Sequence, residues 1–80
     1  MKIPRNVSAR EFIKSLSKIG YEVSRQKGSH IRLTCSFPKT HHVTIPNHDP
    51  IKVGTLSAIL ADISVNRNQT KEDLIKEIFG

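Results

Sequence analysis

The chain has 80 residues, with thirteen Lys or Arg against seven Asp or Glu, a formal net charge of +6 and a single cysteine. A chain this short buries only about 60% of the surface that its unfolded form exposes, which excludes a cofactor-binding fold joined to a separate substrate domain. The lone cysteine excludes an internal disulfide framework, and neither a run of ~20 apolar residues nor the apolar stretch of a signal peptide is present, so one cytoplasmic domain over residues 1–80 is expected, without a membrane partner.

The first element opens on Ser8-Ala9-Arg10-Glu11. This is a capping box, in which the Ser8 hydroxyl and the Glu11 carboxylate satisfy backbone N–H groups that a helix start leaves unpaired, while Val7 can staple onto Phe12. Phe12, Leu16 and Ile19 recur on one helical face, and Gly20 supplies the stop, so helix one is predicted from about Ala9 to Ile19. Period-two alternation follows. Tyr21 and Val23 are apolar between Glu22, Ser24 and Gln26, and Ile31, Leu33 and Cys35 are apolar between His30, Arg32 and Thr34. Two strands of a hairpin fit this pattern.

A two-residue Lys27-Gly28 turn would oppose Ser24 to Ile31 and Val23 to Arg32, mixing the faces. A three-residue Lys27-Gly28-Ser29 connection pairs Gln26 with His30, Val23 with Leu33 and Tyr21 with Cys35, and that register is expected. Across a turn from Ser36 to Thr40 containing Pro38, the same matching pairs Leu33 with Val43, Ile31 with Ile45, Thr34 with His42 and Arg32 with Thr44. Strand two is then central in an antiparallel meander. A helix over Thr55 to Ile63, with Leu56, Ile59, Leu60 and Ile63 at helical spacing, covers the apolar face together with helix one. A last helix from Lys71 to Phe79, capped by Thr70, carries Leu74, Ile75 and Ile78 and is expected to be short and peripheral. The predicted class is α+β, in the order α-β-β-β-α with a short C-terminal helix.

The uncovered face is expected to present Ser24, Gln26, His30, Arg32, Thr34, His42 and Thr44, with Lys27 at the hairpin tip. Any antiparallel sheet with one covered face shows polar residues to water. This set is more particular, because it combines a histidine on the central strand, a neighbouring arginine and a Lys-Gly-Ser loop rich in backbone donors. The charge is one-sided as well: residues 1–40 hold nine basic and two acidic side chains, residues 41–80 four basic and five acidic. A polyanion such as nucleic acid suits that field.

RNA cleavage asks little of a small protein, since the 2′-OH is an internal nucleophile. It needs a base, an acid and positive charge near the phosphorane. Imidazole, titrating near pH ~6.5, suits either proton role. On this sequence His30 is the candidate general base or acid, Arg32 and Lys27 stabilise developing charge, and Gly28 lets backbone approach a phosphate. His48 is a candidate second proton carrier, because Pro46 falls opposite His30 and the Asn47-His48 loop can fold back toward it. No cofactor or metal is expected: His41-His42 followed by His48 matches no usual zinc spacing, Cys35 faces the apolar side, and His41 and His42 alternate across their strand. Gly54-Thr55 beside Lys52 can hold a phosphate at a helix start, or be only a helix start.

Several motifs together carry a resemblance: Val7-Ser8-Ala9-Arg10-Glu11, Lys18-Ile19-Gly20-Tyr21, Arg25-Gln26-Lys27-Gly28-Ser29-His30, Val43-Thr44-Ile45-Pro46-Asn47-His48, and Gly54-Thr55-Leu56 with Ile59-Leu60. In this order and spacing, over residues 7–65, the sequence resembles the HicA toxins, also called the YcfA-like family. The resemblance implies a fold like the double-stranded RNA-binding domain and a ribosome-independent mRNA interferase of a toxin-antitoxin pair. It implies that His30 is catalytic and that a HicB-type antitoxin neutralises the toxin by covering the His30 face; Arg25, Lys27, Gly28, Ser29 and Arg32, which bracket His30 in the sequence, are the candidate RNA contacts on the residues' own chemistry. DNA binding by the chain alone is not expected. The sequence departs from the family pattern at Ser64, where a glycine is common, and in the longer stretch Asn66-Arg67-Asn68-Gln69. Two rival readings are an RNA-binding module without catalysis and a protein-interaction domain whose basic face docks an acidic partner. Against the first, Thr55, Leu56, Ser57 and Ala58 stand where duplex RNA binders of this shape carry lysines.

Overall fold

Ser8 starts the first helix as its sequence dictates. In the computed structural model, which describes residues 3–37 and 39–80, the Ser8 hydroxyl accepts the Glu11 N–H at 3.1 Å and the Glu11 carboxylate accepts the Ser8 N–H at 3.4 Å. Val7 and Phe12 are both buried, as a hydrophobic staple requires. Helix α1 spans Ala9–Ser17, two residues short of the expected end. Lys18 and Ile19 instead donate to Ser15 and Leu16, three residues back, and so tighten the last turn. Gly20, at φ +93°, then reverses the chain so that the Tyr21 N–H returns to the Leu16 carbonyl at 3.2 Å.

Three strands follow, β1 (Glu22–Lys27), β2 (His30–Cys35) and β3 (His41–Pro46), in one antiparallel sheet with β2 central. The β2–β3 register is the expected one, with Ile31 opposite Ile45, Arg32 opposite Thr44, Leu33 opposite Val43 and Thr34 opposite His42. Pro38, expected in the connecting turn, lies outside the described residues. The β1–β2 register differs from expectation. Val23 does pair with Leu33, but Lys27, not Gln26, meets His30. A two-residue Gly28-Ser29 turn closes the hairpin, and a bulge at Ser24 absorbs the odd residue, so that Arg25 pairs with Arg32 and Gln26 with Ile31. A bulge and a longer loop shift the register by the same single residue, which is why face matching alone selects the wrong one. The inner side of β1 is also barer than its alternation suggests: Tyr21 is fully buried, yet Val23 is half exposed on this edge strand.

Helices α2 (Val53–Asn66) and α3 (Lys71–Phe79) complete the order. Helix α2 exceeds the expected Thr55 to Ile63 at both ends. Its N-cap, Lys52, makes no side-chain cap, and its C-terminal stop is Asn68 at φ +54° in place of a glycine. Thr70 caps α3 by accepting the Asp73 N–H at 3.0 Å. This helix is not peripheral: Leu74 and Ile78 have no exposed surface, and Phe79 stacks on Phe12 with ring centroids 6.2 Å apart. The apolar faces of all three helices thus meet the inner face of the sheet in one core centred on Phe12, Leu16, Leu33, Ile45, Leu60 and Ile63. At the divergent position, buried Ser64 donates its hydroxyl to the Ala61 carbonyl at 2.8 Å, which satisfies it within its own helix.

Candidate active site

The alternation of β2 decides which side chains face away from the helices. Ile31, Leu33 and Cys35 are buried, so His30, Arg32 and Thr34 stand on the open face. Cross-strand partners share a face. Lys27 therefore flanks His30, Arg25 flanks Arg32 and Glu22 flanks Thr34 on one side, with Pro46, Thr44 and His42 on the other. Gln26, expected on this face, lies opposite Ile31 on the inner side, and Arg25 takes its place. The bulge at Ser24 thereby concentrates cations: two guanidinium side chains are directly opposed, one step from the Lys27–His30 pair. Like charges placed so repel in the free protein. Among the described residues the ion pairs are His41–Asp62, Arg67–Glu77 and Lys76–Glu72, and none involves Arg25, Lys27 or Arg32.

Gly28 sits at φ +59° in the hairpin turn, the left-handed region that such tight turns demand. A side chain there would meet nothing within 4 Å, so the glycine answers a backbone requirement and also leaves the turn open to an approaching ligand. Beside the turn runs the β3–α2 loop. The Asn47 N–H donates to the Ser29 carbonyl at 2.6 Å, the His48 N–H donates to the Pro46 carbonyl at 2.8 Å, and the His48 carbonyl accepts the Ala9 N–H at 3.1 Å. His48 thus follows directly on the residue that bonds the hairpin turn, and its backbone is pinned between that turn and the start of α1. Both His30 and His48 are exposed. Lys52 and Gly54 lie further along, at the N-terminus of α2.

Two side-chain chains complete the picture. On the open face, Ser24 Oγ and Thr34 Oγ1 are 2.7 Å apart, and Thr34 Oγ1 and His42 Nδ1 are 2.9 Å apart. On the inner side, Tyr21 Oη lies 2.6 Å from His41 Nδ1, and His41 Nε2 lies 3.4 Å from Asp62 Oδ1. Asn66 donates to the Tyr21 hydroxyl at 3.4 Å. Burial pushes the Tyr21 phenol above its ordinary pKa, against the opposing pull of the Asn66 bond. The inner chain is absent from the expected site. Its signal was the opposite parity of His41 and His42, which puts His41 opposite Cys35 and beside the residue preceding β1. No set of three or more His, Cys, Asp or Glu side chains is arranged to hold a metal among the described residues.

The model of the HicA toxin of bacterial toxin-antitoxin systems matches residues 9–65. The chain belongs to the HicA toxin family. That match runs from α1 through almost all of α2 and includes the hairpin, His30 and His48; α3 lies beyond it. Membership in the HicA family implies an antitoxin as partner. No individual curated protein and no solved structure matched the chain. Among the described residues of this HicA chain, no helix is long and apolar enough to cross a membrane.

Proposed function

We propose that this HicA-family chain is a cytoplasmic endoribonuclease that cleaves mRNA without a metal ion, with His30 as general acid or base, and that a HicB-type antitoxin silences it by covering the open face of the sheet. The observation that carries this reading is the position of His30 on the central strand, beside Lys27 and one ladder step from the opposed Arg25 and Arg32. A phosphodiester seated there relieves the repulsion between the two guanidinium groups. It also brings its phosphorus within reach of an imidazole.

The RNA provides the nucleophile. A base removes the 2′-OH proton as the 2′-oxygen bonds to phosphorus; the bond from phosphorus to the 5′-oxygen breaks, and that oxygen takes a proton from an acid. The products are a 2′,3′-cyclic phosphate and a 5′-hydroxyl. His30 serves as one of the two proton carriers, and His48, on the loop beside Ser29, is proposed as the other. Arg25, Arg32 and Lys27 offset the charge that grows on the equatorial oxygens, and the Gly28-Ser29 turn brings backbone close to them. DNA lacks the 2′-OH and is not a substrate.

The test is controlled expression of wild type and His30→Ala in a bacterial host, paired with RNA cleavage in excess chelator. Growth arrest and chelator-insensitive cleavage are expected for the wild type alone. Equal cleavage by His30→Ala overturns the catalytic role of His30. RNA binding without cleavage by the wild type would make the chain a non-catalytic RNA-binding module.

A further inference from the structure

We infer that His42 is a phosphate-binding subsite for the RNA strand, held in place by Thr34 and Ser24 at a fixed distance from His30. The inference rests on the nuclease reading for its substrate, but on separate residues for its geometry. His42 faces the same side of the sheet as His30, opposite Thr34. Its Nδ1 is engaged by Thr34 Oγ1 at 2.9 Å, Thr34 Oγ1 meets Ser24 Oγ at 2.7 Å, and Ser24 Oγ lies 3.3 Å from the Arg32 carbonyl. One histidine is thus tethered through all three strands.

The direction of this chain decides what His42 offers. Where Ser24 donates to Thr34 and Thr34 donates to Nδ1, the ring proton sits on Nε2. Where Nδ1 carries a proton, it donates to Thr34, Thr34 donates to Ser24, and Ser24 donates to the Arg32 carbonyl, so an imidazolium has its inner N–H satisfied. In the first arrangement, and in the imidazolium, Nε2–H remains a donor free of the tether, on an exposed residue; the neutral ring with its proton on Nδ1 offers Nε2 only as an acceptor. A phosphate oxygen, an acceptor with negative charge, is what such a group binds best.

Position separates this role from that of His30. Side chains on one face recur every second residue, about 7 Å apart along a strand. His30, Arg32 and Thr34 mark three successive positions of this face on β2, two such steps in all, with Arg25 beside the second and His42 beside the third. His30 and His42 are therefore about 13 Å apart along the strands, too far to serve one phosphodiester. They can serve phosphates of one extended strand laid along β2, with the arginine pair between them. Glu22, the carboxylate on this face, is on β1, about two strand spacings or ~10 Å from His42.

The test compares wild type, His42→Ala, Thr34→Ala and Thr34→Ser on a single-stranded RNA oligonucleotide, a dinucleotide, and the uncleavable 2′-O-methyl form of the oligonucleotide. For His42→Ala, KM on the oligonucleotide and Kd for the 2′-O-methyl strand should rise about three- to tenfold at unchanged kcat. Any fall in the slope of log Kd against log salt is bounded by about 0.7, the value for one lost charged phosphate contact. The dinucleotide, which cannot span from His30 to His42, should be cleaved as before. Thr34→Ala should reproduce part of the KM effect, and Thr34→Ser, which keeps the hydroxyl, should restore it. Unchanged KM and Kd in His42→Ala, or an equal loss on the dinucleotide, overturns the inference. If the wild type binds the 2′-O-methyl strand but cleaves no RNA, the nuclease reading fails alone, and the Kd of His42→Ala still decides the subsite. A wild type that binds no strand overturns both.

Discussion

Replacing Arg25 by Gln should stabilise the free protein and weaken RNA binding. Directly opposed residues of an antiparallel pair have Cβ atoms about 4.5–5.5 Å apart, and the bulge at Ser24 places Arg25 opposite Arg32 in this way. Two unit charges about 6 Å apart in water repel by about 0.7 kcal/mol, and physiological salt lowers this further. Arg25 is exposed and the arginine side chains can splay, so the relief expected from Arg25→Gln is about 0.3–0.7 kcal/mol. In a domain of this size that raises Tm by about 1–6 °C. The assay is thermal unfolding followed by circular dichroism, at low salt and at about 1 M salt, where the Debye length shrinks to about 3 Å and the gain should vanish. In parallel, the salt slope of RNA binding should drop by about 0.7. A variant less stable than wild type, or equally stabilised at both salt concentrations, would refute the opposition of the two guanidinium groups. The register that produces it would fall as well.

Two further outcomes test the interior. Tyr21→Phe should cost about 1 kcal/mol at neutral pH by removing the hydroxyl that bonds His41. Because burial raises the Tyr21 pKa, the neutral phenol is the favoured form in the folded state; that contribution is complete below the ordinary phenol pKa and is lost as pH rises through the higher folded value. Urea midpoints should therefore fall above about pH 10 in the wild type and less steeply in Tyr21→Phe, and identical alkaline slopes would exclude this source. Ile78→Ala should destabilise by about 2–5 kcal/mol, since Ile78 is fully buried in the core. A loss below about 1 kcal/mol in urea unfolding would return α3 to the periphery.

The residues that could be read correctly from the sequence are those whose structural signal is local. Ser8 and Glu11 mark one helix start, Thr70 marks another, and the Ile31, Leu33, Cys35 alternation sets the parity of β2, hence the side on which His30 stands. The β2–β3 register followed because apolar matching there admits one solution. On the other side two solutions exist, and the choice between a longer loop and a bulge at Ser24 rests on the backbone of the turn, where Gly28 takes a positive φ. That ambiguity hid the pairing of Arg25 with Arg32 and left Gln26 on the wrong face. The predicted bounds of α2 are too short because its ends carry neither a side-chain cap at Lys52 nor a terminal glycine. The burial of α3 is illegible for a different reason: Phe12 and Phe79 stand 67 positions apart in the chain and meet only once it has folded.

The exposure of every residue of β1 bears on how such a protein can change over generations. Substitutions at exposed positions usually alter stability by no more than about 0.5 kcal/mol. Arg25, Gln26 and Lys27 can therefore drift toward a new target, or away from an inhibitor, with little penalty in folding. His30, by contrast, alternates with residues the core cannot release, so a shift that moved it would turn Ile31 and Leu33 outward. On the nuclease reading proposed above, contacts to the target can diversify on β1 while the proton-carrying histidine stays anchored on β2.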